Sequence, residues 1–243
     1  MLKRVYYLLL FLALANNSFG MHIAEGFLPV KWAIFWALLF LPVLIYGYKH
    51  IKAIVKQQPS AKLLLAVVGA FAFVLSSFKL PSVAGSSSHL TGIALGAILF
   101  GASTMSVLGL LVLLFQALLL AHGGFTTLGA NAFSMAVVGA FIAVWCYQLG
   151  HKAGLKQSYS IFIAAVFSDL AIYVCTSAQL AVAFQSVDNS FMANFIKFAG
   201  VFAVTQLPLA LIEGICTVAI FKMMMKYSGE DILELNPNLQ LSK

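Results

Sequence analysis

The stretch Met21-His22-Ile23-Ala24-Glu25-Gly26-Phe27-Leu28-Pro29 carries the most chemistry in this chain. If the chain is cut after Gly20, Met21 becomes the N-terminus and His22 the second residue. The free α-amine, the next amide nitrogen and the His22 imidazole Nδ1 can then close two fused chelate rings on one metal ion. Those are three nitrogen donors in one plane, and a fourth nitrogen closes a square. Square or tetragonal nitrogen sites suit Cu(II) or Ni(II), and low-spin Co(II) tolerates the same geometry. Uncut, the Met21 nitrogen is an ordinary amide and no chelate forms. Residues 1–20 read as a removable signal peptide. Lys3 and Arg4 form its basic head, residues 5–15 its short apolar stretch, and Ser18 and Gly20 the small residues before the cut. The plainer reading makes His22 an interfacial histidine behind a first membrane anchor.

Four more histidines follow. His89 lies in a polar, glycine-rich and uncharged loop at residues 82–92, and His122 in a similar loop at 121–131. Such loops can fold back into the mouth of a helical bundle, where protein rather than lipid covers their backbone. His89 is the natural fourth nitrogen. His122 is the weaker ligand candidate, with a structural loop role as its default, and His122→Ala is expected to spare metal binding. His50 and His151 sit among lysines and read as interface residues. Thr127, Asn131 and Glu25 are candidates to hold a ligating imidazole, since a metal-bound histidine usually donates its other N–H to a neighbour. Asp169 and Glu213 are acids inside apolar runs, a costly placement that marks functional candidates. Both are placed towards the cytoplasmic half, in packing or partner contact. Ala33 and Ala37 make a small-xxx-small pattern for close helix approach. Cys146, Cys175 and Cys216 show no metal-ligand spacing and read as packing residues.

The elements that must position these residues are apolar. The 243 residues are 62% hydrophobic and only 9% charged, with a mean hydropathy of +1.00, far from the range of soluble domains. The expected fold is an all-α polytopic bundle of about seven transmembrane helices, at residues 32–48, 63–78, 93–105, 107–121, 132–149, 159–184 and 195–225. Residues 21–225 make the bundle, and 226–243 a polar, loosely ordered cytoplasmic tail. Seven spans from an external N-terminus place nine lysines inside and three outside, which agrees with the positive-inside rule. Fusing the third and fourth spans into one kinked helix would reverse everything after them. The net charge of +7 includes Lys3 and Arg4 of the signal stretch; the remaining lysines cluster in these loops and signal membrane orientation, not nucleic acid. The chain has no G-x-x-x-x-G-K-[ST] run and no nucleophile beside a base. No enzyme is expected, and no organic cofactor.

MHIAEGFLP (21–29), GSSSHLTGIALGAILFG (85–101), QALLLAHGGFTTLGANAFSM (116–135), FSDLAIYVCTSAQL (167–180) and FAVTQLPLALIEG (202–214) are spread along nearly the whole chain after residue 20. In this order they resemble the CbiM/NikM family, the substrate-binding subunits of energy-coupling-factor transporters for cobalt and nickel. The AHGG form around His122 is closer to the cobalt branch. The chain departs from the pattern at Ala102, where relatives often carry Pro, and this bears on the bend between spans three and four. The resemblance implies a seven-span subunit of the cell (inner) membrane with its mature N-terminus outside. It implies metal ligation by Met21, His22 and His89. It also implies an ATP-driven importer for Co(II) that supplies cobalamin synthesis. The partners it implies are a transmembrane coupling subunit, ATPase subunits and a small accessory membrane subunit. In such transporters a pattern like Ala33–Ala37 contacts the coupling subunit. Two other readings stand beside it: nickel import by the same mechanism, and an autonomous proton-coupled carrier using Asp169 and Glu213.

Overall fold

Apolar runs that must satisfy their own backbone become helices, and helices make up nearly all of the computed structural model. It describes residues 22–81, 87–185, 190–236 and 239. Met21 and the signal-peptide stretch 1–20 lie outside the described residues. The order is α1 (Val30–Gln57), α2 (Ala61–Ser77), β1 (Lys79–Pro81), β2 (Ser87–His89), α3 (Ile93–Phe100), α4 (Ala102–Leu120), α5 (Leu128–Lys152), α6 (Gln157–Ala183) and α7 (Phe191–Leu235). Residues Phe133–Gly139 of α5 are wound as a π-helix.

Five of these helices, α1, α4, α5, α6 and α7, are long and apolar enough to cross a membrane. The apolar α2 has 17 residues, about 26 Å at 1.5 Å per residue. The third expected span is corrected. At 93–100 the chain forms an eight-residue helix in which every residue is buried, about 12 Å long, shorter than the expected 93–105 and too short to bridge the membrane as helix alone, so the non-helical residues 90–92 before it share the passage from the hairpin to the His50 end, where Gly101 lies. Glycine is the reason. Gly92 and Gly101 bracket α3 with φ of +68° and +88°, values that L side chains resist. The bend is therefore made by Gly101, and Ala102 opens α4.

α3 and α4 form an antiparallel pair around that bend. A Cβ on Gly96 would collide with the Met105 thioether, and one on Gly109 would come 3.5 Å from Ile93 Cδ1. His50 Nδ1 lies 3.0 Å from Thr104 Oγ1 at the start of α4. Lys79 Nζ donates to the Leu120 carbonyl at its end (3.1 Å). So α4 runs back from the His50 end of α1 to the β-hairpin, and α3 and α4 are two reversed segments rather than one kinked helix. α3 sits at the centre of the main core, among Leu64, Val68, Met105, Met135, Ile161 and Ile172. α2 meets it with a single stripe, Ala61, Leu64, Leu65, Val68, Ala72 and Ser76, the spacing of one helical face. Outward faces stay apolar, with Leu38, Leu118 and Ile215 each more than 60% exposed, as lipid-facing surfaces are.

The described part of the tail, residues 226–236 and Leu239, is packed rather than loose. α7 runs through residue 225, breaks at Ser228 (φ −140°) and continues to Leu235. Ile232 and Leu239 are buried. The Asn236 amide donates to the carbonyls of Ile98 (3.2 Å) and Leu99 (3.4 Å) at the end of α3. Gln58 Nε2 donates to the Glu234 carboxylate (3.1 Å) and Gln157 Nε2 to the Leu239 carbonyl (3.0 Å). Apolar Ile232 and Leu239 have a core to join, so these residues dock under the bundle instead of trailing from it.

Candidate metal centre

The segment before α1 is held face-down on the loop between α4 and α5. Ile23 N–H donates to Asn131 Oδ1 (2.8 Å), and the Ile23 carbonyl accepts from Asn131 Nδ2 (3.0 Å) and Thr127 Oγ1 (2.7 Å). Gly26 N–H donates to Thr126 Oγ1 (3.1 Å), and the Glu25 carboxylate accepts from Thr126 N–H at 3.2 Å. Gly124 permits this approach: a Cβ there would lie 2.5 Å from Glu25 Cα. Ile23 and Leu28 are buried with Ala130, Tyr173, Leu180 and Phe202 in a second apolar cluster. His22, one residue before this clamp, is thereby turned inward and is 1% exposed.

His89 ends β2, directly across the ladder from Lys79. Its Nδ1–H donates to the Leu90 carbonyl (2.7 Å), which leaves the Nε2 lone pair free. His122 follows the C-terminal cap of α4, where the Ala121 and His122 N–H groups both reach the Gln116 carbonyl. Ala121 takes φ +46°, a left-handed conformation that costs a non-glycine residue about 1–2 kcal/mol. That turn, continued by Gly123 at φ +74°, carries the His122 ring over the other two.

Three buried imidazoles therefore converge from three separate stretches. Ring centroids lie 4.6 Å apart for His22–His89, and 4.9 Å for both His22–His122 and His89–His122. One ligand nitrogen from each lies within 4.8 Å of the others. Nitrogens bound to one ion at about 2.0–2.1 Å sit about 3–4 Å apart, so a small inward shift completes a site. Both His22 nitrogens, His89 Nε2 and His122 Nε2 are buried and make no hydrogen bond among the described residues. Leaving such a group unpaired costs about 1–3 kcal/mol, and a bound cation would engage the one lone-pair nitrogen of each ring.

The electrostatics suit a cation ligand set. Burial holds His22 well below the usual imidazole range; the His89 and Lys79 charges add to this, and nearby Gln116 partly offsets it. Burial takes His89 down to about 4; its bond to Leu90 opposes the shift and Lys79 assists it. His122 is lowered by burial, then by His22, His89 and Lys79. All three rings are neutral at pH 7, the form that binds metal.

His22 and His89 come together as the sequence suggested, and His122 joins them as an equal third member rather than a remote loop residue. A histidine followed by two glycines, in a loop without charge, was the available signal. Thr127 and Asn131 grip the Ile23 peptide, so they position His22 through the backbone and touch no imidazole. Glu25 is exposed on the far side of the clamp, and hydrogen bonding from Thr126 holds its carboxyl below the ordinary value. Gln116 and Lys79 gave no sequence signal, yet both border the cluster. Ala33 packs on the second apolar cluster, and Ala37 faces Gly129, where a Cβ would lie 2.6 Å from Ala37 Cα. The contact made by this small-residue pattern is between α1 and α5 of the same chain.

Asp169 and Glu213 are both 0% exposed and hydrogen-bonded inside the bundle, as packing residues are. Asp169 Oδ2 accepts from Gln206 Nε2 (2.6 Å). Glu213 is not remote from the histidines: its carboxylate grips Thr91 and Gly92, just past His89. Seven residues separate Gln206 from Glu213, two helical turns, so both lie on one face of α7.

Residues 22–230 match the family described as "Cobalt uptake substrate-specific transmembrane region". The chain is 54% identical over 232 residues to the cobalt transport protein CbiM of Moorella thermoacetica, covering 96% of this chain and 90% of that one. It is 55% identical over 215 residues to the CbiM of a Nostoc species, covering 88% and 82%. A crystal structure of a transition metal transporter superposes with a TM-score of 0.76 at 25% identity, covering 90% of this chain and 99% of the other. A truncated transition metal transporter gives 0.73 at 23% identity, covering 85% and 99%, and supports the fold. With most of its length matched at more than half identity, the chain belongs to the CbiM family of cobalt-uptake membrane proteins.

Proposed function

We propose that this protein is the capture subunit of a multi-subunit, ATP-driven importer and takes Co(II) as its substrate, with Ni(II) as the alternative cargo for the same donor set. The observation that carries the reading is the cluster of His22, His89 and His122, buried, neutral and unpaired among the described residues. The donors are the Met21 amine, freed by removal of residues 1–20, the His22 amide nitrogen and Nδ1, and His89 Nε2. His122 Nε2 is a further nitrogen beside them. Imidazole and amine nitrogen suit Co(II) and Ni(II) over hard cations such as Mg(II). Selection against copper, which binds such donors more tightly, rests on geometry and supply.

Hydrolysis of ATP falls to separate ATPase subunits, joined through a transmembrane coupling subunit and a small accessory membrane subunit. The mature N-terminus and the histidine cluster face outside the cell membrane, and the end of α7 faces the cytoplasm.

Titration of purified, processed protein with Co(II) tests the site. His22→Ala should abolish binding, because it removes the imidazole and one chelate ring together. His89→Ala should weaken binding at least tenfold. His122→Ala, now placed within the cluster, should weaken it less and shift the Co(II) absorption bands. Parental affinity in both His22→Ala and His89→Ala would sink the assignment.

A further inference from the structure

Glu213 is a carboxylate in the interior of a membrane helix, a placement that is expensive unless its oxygens are fully engaged. Here they are. Oε2 accepts from Thr91 N–H (2.6 Å), and Oε1 accepts from Thr91 Oγ1–H (2.6 Å) and Gly92 N–H (3.0 Å). Three donors on two oxygens fix the position of the carboxyl group. The turn they hold has little slack, because a Cβ at Gly92 would sit 2.8 Å from Ala72 Cα on α2.

Thr91 N–H and the Leu90 carbonyl belong to one peptide group, and that carbonyl accepts the His89 Nδ1–H (2.7 Å). Carboxylate, peptide and imidazole thus form one chain of hydrogen bonds. A carboxylate pulling on the N–H side polarises the C=O side, and bonds in series reinforce each other. The chain ends at His89 Nε2, buried and unpaired among the described residues, in the histidine cluster. Carboxylates are common partners of metal-bound histidines by direct contact; here one peptide stands between.

We infer that Glu213 is a positioning residue for the metal site: through the Leu90–Thr91 peptide it fixes the His89 ring with Nε2 towards the cluster and makes that nitrogen a better donor to a divalent cation. The inference rests on the reading of His89 as a ligand.

The test is Co(II) titration of the full processed chain, followed by affinity and by the absorption bands of the bound ion. Glu213→Gln places an amide N–H against donors, and should lower affinity about 10–100-fold, the usual range for loss of such a partner, at unchanged one-ion stoichiometry and with shifted bands. Thr91→Val keeps the backbone bonds and should lose about threefold; Thr91→Ser should restore the parent. If Glu213→Gln keeps the parental affinity and spectrum, the inference is overturned. If it does not fold, Thr91→Val decides, and parental binding there overturns the inference as well. A merely structural role for Glu213 would reduce the yield of folded protein and leave the bands of the bound ion in place. His89→Ala separates the two levels: parental binding in that variant removes the ligand reading itself, whatever Glu213 does.

Discussion

At the scale of single residues, protonation decides what the site can do and when. His89 is held down to about 4 by burial, so between pH 5 and 7 the imidazoles are already neutral and protons do not compete for them. In the proposed donor set the freed Met21 amine, with an ordinary value of about 7.7–8.0, would be protonated there and would have to lose its proton to bind. Co(II) affinity should therefore rise about tenfold or more per pH unit from 5.5 to 7. Acetylating the amine should lower the affinity and flatten that slope. A titration at two pH values, with and without the block, checks this, and an unchanged slope in the blocked protein would remove the amine from the donor set. His22 was readable as a ligand because a second-position histidine makes chelate rings from its own backbone. His122 was readable only as the weaker candidate, because its place in the cluster depends on a left-handed turn at Ala121, a conformation that an alanine does not advertise.

At the scale of elements, α3 is the piece to watch. It has no face to lipid, and α7 with its C-cap residue holds both of its ends, Glu213 at the His89 side and Asn236 at the other. Asn236→Ala removes the two long bonds to the Ile98 and Leu99 carbonyls and should cost about 0.5–1.5 kcal/mol. It should also loosen the segment after Ser228. Limited proteolysis is the measurement: cleavage after Ser228 should become faster while the bundle stays intact, and an unchanged rate would show that Asn236 does not hold the tail. The hydropathy of 93–121 announced two apolar stretches. It could not say that the first was a short buried helix, because a helix facing protein and a helix facing lipid are equally apolar. The glycines at 92 and 101 were visible, but their positive φ was not. Likewise Ala33 and Ala37 were legible as a close-approach pattern, while their neighbour Gly129 was supplied by folding.

At the scale of the whole molecule, the arrangement predicts orientation and processing together. Single cysteines should be labelled from outside at Gln185 and from inside at Lys56; the reverse would place the histidine cluster on the wrong side for capture. Mass spectrometry of the membrane-purified protein should show loss of residues 1–20. One extra residue before Met21 should destroy the site with every side chain present, since His22 would become third and its chelate would change. Sequence by itself determined that the chain is an apolar helical membrane protein, that Met21-His22 can chelate only as a freed terminus, and that His89 sits in a loop able to fold inward. These are properties of composition, of local covalent geometry and of residues near one another in the chain. Tertiary structure alone decided that His122 stands 4.9 Å from both partners, that Asn131 holds the peptide of Ile23, and that Glu213 reaches across 122 positions to Thr91. Those contacts depend on how helices with equally apolar surfaces choose their neighbours, and small residues at the crossings and buried hydrogen bonds settle that choice only once the chain is packed.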